Sequence, residues 1–288
     1  MAVALREVED PQTRRKFSLL RCGGCGLGQT DPIPGDLAPY YAEYHGGRHG
    51  ATARLCLRRR MRLLRAAAPR AGRLLDLGCG DGSFLLQARE EGWQVRGTEF
   101  SPQLARGRGL DVAESLDELG GNELFDCITL WHSFEHLRDP LCTMRRLREL
   151  LAPGGALLLA VPDSGGLQAR LFGRYWLHLD VPRHLFHYTR RSLSALLQSA
   201  GFEARWWRHQ EFEYDLLGWP QSALNALTPA PNLFFQLLMG RSPACGSAEK
   251  FFHYAAGGAL TLLSLPLVPL GSLIGRGGTL LVAARALK

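Results

Sequence analysis

Residues 74–85 read LLDLGCGDGSFL, a stretch that combines an apolar run with three glycines and two aspartates. The apolar run is typical of a buried strand, and the residues from Ser83 onwards have the pattern of a helix. Glycines between a strand and a helix let the backbone approach a ligand closely, and the N-terminus of the helix offers unpaired N–H groups. This stretch therefore predicts a nucleotide-like ligand at the end of the strand.

The two aspartates decide which ligand of this kind fits. A dinucleotide fingerprint reads G-x-G-x-x-G, whereas Gly78, Gly80 and Gly82 bring the third glycine one residue early. Asp76 and Asp81 would lie near a bound pyrophosphate, and at about 5 Å and an effective dielectric near 20 each repulsion costs on the order of 3 kcal/mol. S-adenosylmethionine has a sulfonium and an ammonium and no phosphate, so the same carboxylates favour it.

An acidic residue also ends the following strand. Glu99 closes the stretch WQVRGTEF at residues 93–100, about twenty residues beyond the glycine loop. An acidic side chain at this position can accept both ribose hydroxyls of a bound nucleoside. Phe100 beside it is placed to stack on adenine.

Strands and helices alternate over most of the chain. Strand patterns at FDCITLW, ALLLAVP and FEARWWRH are separated by helices predicted over residues 141–151 and 189–200, and TLLVAARA gives a last strand. Short strands that alternate with helices predict an α/β fold with a parallel sheet and helices on both faces.

These motifs resemble those of the class I S-adenosylmethionine-dependent methyltransferases, whose first motif typically reads like LLDLGCGDG. Three further stretches resemble the branch that acts mostly on small molecules: FDCITLWHSFEHLRDP, LAPGGALLLAVPD and WLHLDVPRHLFHYTRRSLSALLQSAGF. The resemblance covers residues 73–209, and residues 278–286 fit the seventh strand of the family. It implies a doubly wound, Rossmann-like sheet of seven strands, mostly parallel with the last strand antiparallel.

The resemblance also implies which residues hold S-adenosylmethionine. Trp131 and His132, which leave the fourth strand of that sheet, border the sulfonium. The full set of expected cofactor-binding residues is Asp76, Gly78, Cys79, Gly80, Asp81, Gly82, Glu99, Phe100, Trp131 and His132.

Of the candidate histidines His132, His136, His184 and His187, two are predicted to be catalytic. Methyl transfer from a sulfonium is an in-line displacement, so a base is needed only where the acceptor must lose a proton. We predict His184, on the segment expected to cover the acceptor together with Tyr175 and Trp176, as that base. His136 is the second candidate, with a structural or cofactor-side role as its alternative, and a buried, hydrogen-bonded histidine is the alternative for His184.

Four segments are predicted along the chain. Residues 1–50 show turn signals and no sustained period, and form an irregular extension; residues 51–210 form the core, 211–277 an apolar helical insertion, and 278–288 the final strand. The extension contains Cys22 and Cys25, and it resembles a zinc ribbon that has lost its upstream cysteine pair. His45 and His49 would complete a tetrahedral zinc site, but their spacing from the pair is long, so no metal is expected.

The charge pattern bears on partners. The net charge is +7, yet only three of 34 basic residues are lysines, a bias that GC-rich codons alone would produce, so no nucleic-acid partner is expected. The helix predicted over residues 51–68 carries its arginines around an apolar stripe of Leu57, Met61 and Leu64, and is expected to pack on the core. Seven cysteines and the charged start of the chain indicate a reducing, cytoplasmic location.

Residues 251–275 contain no charged side chain. Their length would permit a membrane span, but glycines and prolines interrupt them, and a crossing would separate the final strand from its sheet. We therefore expect helices that either cover the pocket or dip into one leaflet, and in the second case peripheral membrane contact through residues 251–275.

The sequence thus predicts a methyltransferase that uses S-adenosylmethionine to modify a small-molecule or lipid-like acceptor at oxygen, nitrogen or carbon. Two alternatives stay open. One is an NAD-dependent oxidoreductase. The other is a catalytically idle protein of methyltransferase-like fold that docks on membrane or nucleic acid. The oligomeric state is left open.

Overall fold

The computed structural model describes residues 1–41, 52–120, 123–241 and 245–287. Its strands are β1 (Ala2–Glu9), β2 (Lys16–Arg21), β3 (Gly28–Asp31), β4 (Arg73–Leu77), β5 (Gln94–Thr98), β6 (Val112–Ala113), β7 (Phe125–Trp131), β8 (Leu151–Pro162), β9 (Phe186–His187), β10 (Phe202–Arg208) and β11 (Thr279–Ala286). Its α-helices are α1 (Ala38–Tyr41), α2 (Ala53–Ala67), α3 (Ser83–Glu90), α4 (Gln103–Gly107), α5 (Pro140–Leu150), α6 (Leu167–Phe172), α7 (Arg190–Ser199), α8 (Phe212–Leu227), α9 (Leu233–Leu238), α10 (Ser247–Ser264) and α11 (Leu267–Leu273).

The chain forms two compact units. The first unit consists of Met1–Thr52, Pro162–Leu193 and Arg208–Leu280. The second unit consists of Ala53–Val161, Ser194–Trp207 and Leu281–Lys288. The chain therefore enters each unit more than once, whereas the sequence suggested four consecutive segments.

Seven strands form one sheet, in the order β10-β11-β8-β7-β4-β5-β6. The pairs β4/β5, β4/β7, β5/β6 and β7/β8 are parallel, and the sheet contains an antiparallel strand. This arrangement confirms the predicted α/β fold. Because β4 lies between β5 and β7, the glycine loop that follows β4 emerges beside the ends of both neighbours.

The core of the second unit is formed by apolar residues of β4, β8 and α5. Leu74 and Leu75 of β4 are fully buried, as are residues 157–161 of β8, which is the apolar run expected of parallel strands covered on both faces. Helix α5 begins at Pro140, after Asp139 accepts a hydrogen bond from the Cys142 N–H at 2.9 Å. The buried face of α5 is Met144, Leu147 and Leu150.

Helix α2 packs on this core, as its apolar stripe predicted. Met61 and Leu64 are buried and Leu57 is partly buried against the same cluster. The outward Arg65 makes two hydrogen bonds to the Glu91 carboxylate, at 2.8 and 2.6 Å. The helix is therefore anchored by its apolar face and held at one edge by an ion pair.

The first unit contains a second sheet, in the order β1-β2-β3-β9. The prediction of an irregular extension over residues 1–50 is wrong for its described part, because β1, β2 and β3 form an antiparallel meander there. Strand β3 also pairs with β9, with Gly28 opposite His187. Strand β1 is exposed over most of its length, and register shifts interrupt its pairing with β2, so it lacks the regular alternation that marks a strand. The pairing of β3 with the distant β9 leaves no local signal either.

Helices α8 to α11 occupy the predicted insertion. Helix α10 packs against α8 and α9, and α11 against α8 and α10. Within the described residues, no single helix has both the length and the apolar character to cross a membrane. The pair α10 and α11 passes that test only together, with a bend of 41° between them.

Candidate cofactor-binding site

The glycine loop after β4 is attached to the neighbouring strand. The N–H groups of Gly78 and Cys79 both donate to the carbonyl of Thr98, at 2.8 and 3.0 Å. Gly78 has φ 75°, and a Cβ placed on it would stand 2.5 Å from the Cβ of Ser133. Only glycine therefore allows the loop to pass between β5 and the segment that follows β7.

Gly82 then ends the loop and begins α3. It is the N-cap of that helix with φ 77°, and a side chain on it would collide with Leu110 and press on Ala105. Packing on α4 and on the segment after it thus requires glycine at position 82. The loop presents backbone to its open side, where a ligand can approach closely.

Asp76 is buried at the end of β4. One carboxylate oxygen accepts a hydrogen bond from the Thr129 hydroxyl at 2.6 Å. Burial raises the pKa of Asp76 to about 7, the Thr129 hydrogen bond and the charge of Arg60 oppose that rise, and the charge of Glu99 adds to it. The site therefore holds a carboxyl group whose ionisation a nearby cation would favour.

Glu99 lies against the same loop. Its Oε2 accepts a hydrogen bond from the Gly80 N–H at 2.9 Å, and its Oε1 accepts one from the Ser101 N–H at 3.4 Å. The predicted convergence of Asp76 and Glu99 beside the glycines is thus found in the structure. Phe100 is 80% exposed, so its ring is accessible for the stacking contact predicted from the sequence.

The other loop residues contribute differently from one another. Asp81 accepts hydrogen bonds from the N–H and hydroxyl of Ser83, at 3.0 and 2.7 Å, and pairs with Arg108 at 2.8 Å. Its charge is therefore engaged at the start of α3, and a direct ligand contact stays a prediction. Cys79 is buried, and burial raises the pKa of its thiol, so its main chain is the part available to a ligand.

Trp131 ends β7 and His132 follows it, where the sequence placed them. The Trp131 ring is buried edge-on to Phe84, with centroids 5.5 Å apart, and among the described residues its indole N–H has no hydrogen-bond partner. His132 adopts φ 53° and its N–H donates to the Ala160 carbonyl at 3.0 Å. Its Nδ1 lies 3.7 Å from Oε1 of the buried Glu135.

Arg60 of α2 is a site residue that sequence reasoning missed. Its guanidinium lies over the Trp131 ring, 4.9 Å from the centroid, and its charge lowers the pKa of Asp76. It thus brings a cation to the site, where the carboxylate of a ligand can use it. Nothing in the sequence distinguishes Arg60 from the arginines beside it on the same helix.

The two candidate catalytic histidines belong to different units. His136 ends a short 3-10 turn in the second unit and is partly buried. His184 is buried in the first unit, where its Nδ1 is 2.9 Å from the His178 carbonyl and its Nε2 is 3.9 Å from Oδ2 of Asp180. These contacts favour the alternative of a buried, hydrogen-bonded histidine, and the role of His184 as a base stays a prediction.

The first unit also contains a cavity of about 520 Å³. Tyr175 and Trp176, which were expected to cover an acceptor, are among its lining residues, together with Arg174, Asp180 and Asn225. A cavity of this size accommodates a small organic molecule.

Cys22 and Cys25 occupy the turn between β2 and β3. The Gly26 N–H donates to the Cys22 carbonyl at 2.9 Å, and hydrogen bonds from Cys25 and Gly24 lower the pKa of the Cys22 thiol. His45 and His49, the other two candidate zinc ligands, lie outside the described residues, so the zinc site stays untested.

Comparison with known proteins gives the class. A family model described as "Methyltransferase domain" matches residues 48–205, more than half of the chain. The chain belongs to this family, and its fold is that of the class I S-adenosylmethionine-dependent methyltransferases.

One similar curated protein is a ubiquinone biosynthesis O-methyltransferase from Xanthomonas axonopodis pv. citri (strain 306). It is 27% identical over 153 residues, which cover 47% of this chain and 64% of the relative. The first curated relatives are therefore matched over less than two thirds of their length.

Two solved structures show the same fold at low identity. The 1,6-didemethyltoxoflavin-N1-methyltransferase of Burkholderia thailandensis, with bound 1,6-didemethyltoxoflavin and S-adenosylhomocysteine, has a TM-score of 0.53 at 16% identity and covers 99% of this chain and 100% of its own. The [4+2]-cyclase SpnF has a TM-score of 0.50 at 22% identity and covers 84% of each chain. Because one of these proteins is described as a cyclase, the fold alone does not fix the reaction.

Proposed function

We propose that this protein transfers a methyl group from S-adenosylmethionine to a small-molecule or lipid-like acceptor. The observation that carries the proposal is the convergence of Asp76 and Glu99 at the glycine loop, where Glu99 accepts a hydrogen bond from Gly80 and raises the pKa of Asp76. Such a pair favours a ligand with positive charge and ribose hydroxyls.

The residues present fit this cofactor. At Gly80 a Cβ would meet no atom within 4 Å, so the loop is open there, Asp76 is a buried acid whose ionised form a cation stabilises, and Arg60 supplies a partner for a carboxylate. When bound, S-adenosylmethionine would supply a methyl group to an acceptor atom that attacks the methyl carbon in line with the sulfur, and S-adenosylhomocysteine would be the leaving group. A pyrophosphate would meet the two carboxylates, and this disfavours the NAD-dependent alternative.

The chain contributes position and exclusion of water. Trp131 and Phe84 form an apolar wall in the second unit, and holding the acceptor behind the methyl group in a dry site provides most of the acceleration. His184 or His136 serves as the proton acceptor where the acceptor is a hydroxyl or an acidic carbon.

A lipid-like acceptor and a cytoplasmic location at a membrane surface complete the proposal. The curated relatives named for ubiquinone biosynthesis support this acceptor class, and so does the charge-free stretch at residues 251–275.

The first test is a set of ligands added to the full chain. We expect S-adenosylmethionine and S-adenosylhomocysteine to raise the melting temperature, because both share the ammonium, carboxylate and ribose, and NAD to leave it unchanged. Differential scanning fluorimetry measures this. Stabilisation by NAD alone would exclude the proposal, and stabilisation by none of the three ligands would favour the idle, methyltransferase-like protein.

The Glu99→Gln variant tests the ribose contact. We expect it to weaken binding of S-adenosylmethionine by about tenfold or more, because hydrogen bonds to a charged group contribute about 1.5–3 kcal/mol. Isothermal titration calorimetry gives the dissociation constant. Glu90→Gln on α3, where the acid only reaches Gln87 at 3.1 Å, is the matched control, and equal affinity of the two variants would remove Glu99 from the site.

A further inference from the structure

The polarity of helix α10 is the reverse of that of an ordinary surface helix. Its buried residues are His253, Gly257 and Ser264, which at 100° per residue occupy an arc of roughly 40°. Its exposed large side chains are Phe251, Phe252, Tyr254, Leu262 and Leu263, and they spread over roughly 180°. Small and polar residues thus face the protein, and bulky apolar residues face outward.

The inward face is built for close contact without apolar bulk. A Cβ on Gly257 would stand 2.5 Å from the Phe234 ring of α9, so the glycine is what lets the helices meet. Thr261 and Ser264 donate to carbonyls of their own helix, each at 2.7 Å. Helices that associate in lipid use small residues and internally satisfied hydroxyls in this way.

The apolar surface continues beyond the bend. Leu265, Leu270, Leu273 and Ile274 are exposed, Leu273 at 84%. We name the apolar ridge as the set Phe251, Phe252, Tyr254, Leu262, Leu263, Leu265, Leu270, Leu273 and Ile274. The ridge lies in a stretch without any charged side chain, bordered by Lys250 and Arg276. An exposed apolar surface of this extent marks an interaction site.

We propose that the apolar ridge inserts into one leaflet of a lipid bilayer, with α10 and α11 in the plane of the interface. Lys250 and Arg276 then meet the headgroups, and anionic lipids strengthen the contact. This inference rests on the proposed function, because it gives the membrane contact a defined surface.

The ends of the two helices exclude a crossing. Helix α10 is attached to α8 and α9, and α11 is attached to α8, and all four helices belong to the first unit. Both ends of the stretch therefore return to the same folded protein on one side of the bilayer. The 18 residues of α10 span about 27 Å, slightly less than the roughly 30 Å hydrocarbon core.

The width of the exposed arc favours lipid over a second copy of the chain. A single packed helix covers a limited stripe of its neighbour, whereas acyl chains cover any shape. A helix that is partly embedded in lipid presents an uncharged face of roughly half its circumference to the acyl chains. Self-association through the ridge is the competing outcome of the test.

The test uses the full chain and vesicles of phosphatidylcholine with or without phosphatidylglycerol. We expect cosedimentation, stronger with phosphatidylglycerol, and a drop of about tenfold or more in the partition coefficient for the double variant Leu263→Glu/Leu273→Glu. Leu171→Glu is the control, because Leu171 is 69% exposed and Leu263 is 70% exposed. Retained stabilisation by S-adenosylmethionine shows that each variant is folded.

Two results would overturn the proposal. One is vesicle binding that is equal in the wild type and the double variant. The other is the absence of vesicle binding by the wild type. If sedimentation velocity then shows a dimer that the double variant dissociates, the ridge is a self-association surface. Binding of S-adenosylmethionine is measured separately. If the protein binds vesicles but does not bind S-adenosylmethionine, the proposed function is rejected and membrane insertion of the ridge stands.

Discussion

The Gly78→Ala variant is expected to lose measurable binding of S-adenosylmethionine. The residue has φ 75°, which costs an L-residue about 1–2 kcal/mol, and its new Cβ would stand 2.5 Å from that of Ser133. Relief requires the loop to leave the Thr98 carbonyl or Ser133 to release the Leu77 carbonyl, which its hydroxyl contacts at 2.5 Å. Either movement displaces the backbone that a ligand must approach.

Gly80→Ala is the control in the same loop. Gly80 has φ 57°, but a Cβ there meets no atom within 4 Å. Both variants therefore carry the cost of the left-handed backbone, and only Gly78→Ala adds the collision. We expect Gly78→Ala to lower the free energy of unfolding by about 2–5 kcal/mol and Gly80→Ala by about 1–2 kcal/mol. Titration calorimetry measures the binding of S-adenosylmethionine to Gly78→Ala, and urea denaturation measures the free energy of unfolding of both variants. Equal losses of stability in the two variants would show that the contact with Ser133 does not constrain the loop.

The parts of the site that local sequence determines could be predicted. The loop spacing follows from the need for a tight passage between a strand and a helix, and Glu99 reaches Gly80 because neighbouring parallel strands end at one edge of the sheet. The continuous apolar sequence of β4 and β8 predicts that these strands are buried. Periodicity and turn chemistry therefore suffice where a contact depends on adjacent elements.

Contacts that depend on tertiary packing could not be predicted. Arg60 reaches Trp131 only because of how α2 lies on the core, and the sequence of α2 gives each arginine the same surroundings. Asp81 has the expected charge, but its hydrogen bonds with Ser83 and its ion pair with Arg108 engage that charge within the protein. In the sheet of the first unit, the edge strand β9 pairs with the distant β3, and a pairing of that kind has no periodic signature.

The raised pKa of Asp76 leads us to expect that the affinity for S-adenosylmethionine rises with pH. Its pKa of about 7 means that at pH 6 most of the molecules without ligand hold the neutral acid, and a cationic ligand must displace that proton to gain the ionic contact. The affinity for S-adenosylmethionine is therefore expected to increase about tenfold between pH 6 and pH 8. Titration calorimetry at several pH values measures the slope, and Asp76→Asn should flatten it.

For the protein without ligand, the raised pKa of Asp76 leads to the opposite expectation: the free energy of unfolding falls as the pH rises. The folded pKa is raised above the ordinary value of 3.8, so the stability contributed by Asp76 is fully present below pH 4 and is lost as the pH rises through 7. Asp215 and Asp163 have raised pKa values of about 7 and about 6, also because of burial, and they titrate in the same pH range. The contribution of Asp76 is therefore obtained as the difference in the free energy of unfolding between the wild type and Asp76→Asn.

Opposite slopes for affinity and stability distinguish Asp76 from a group that only supports the fold. A structural carboxyl changes the stability curve and leaves the binding curve unchanged. Asp111→Asn, at an exposed carboxylate that pairs with Arg96 at 3.3 Å, is the control and should alter neither slope. If the Asp76→Asn variant keeps the wild-type rise in affinity between pH 6 and pH 8, the buried acid does not meet the positive charge of the methyl donor, and the electrostatic basis of the proposed function fails.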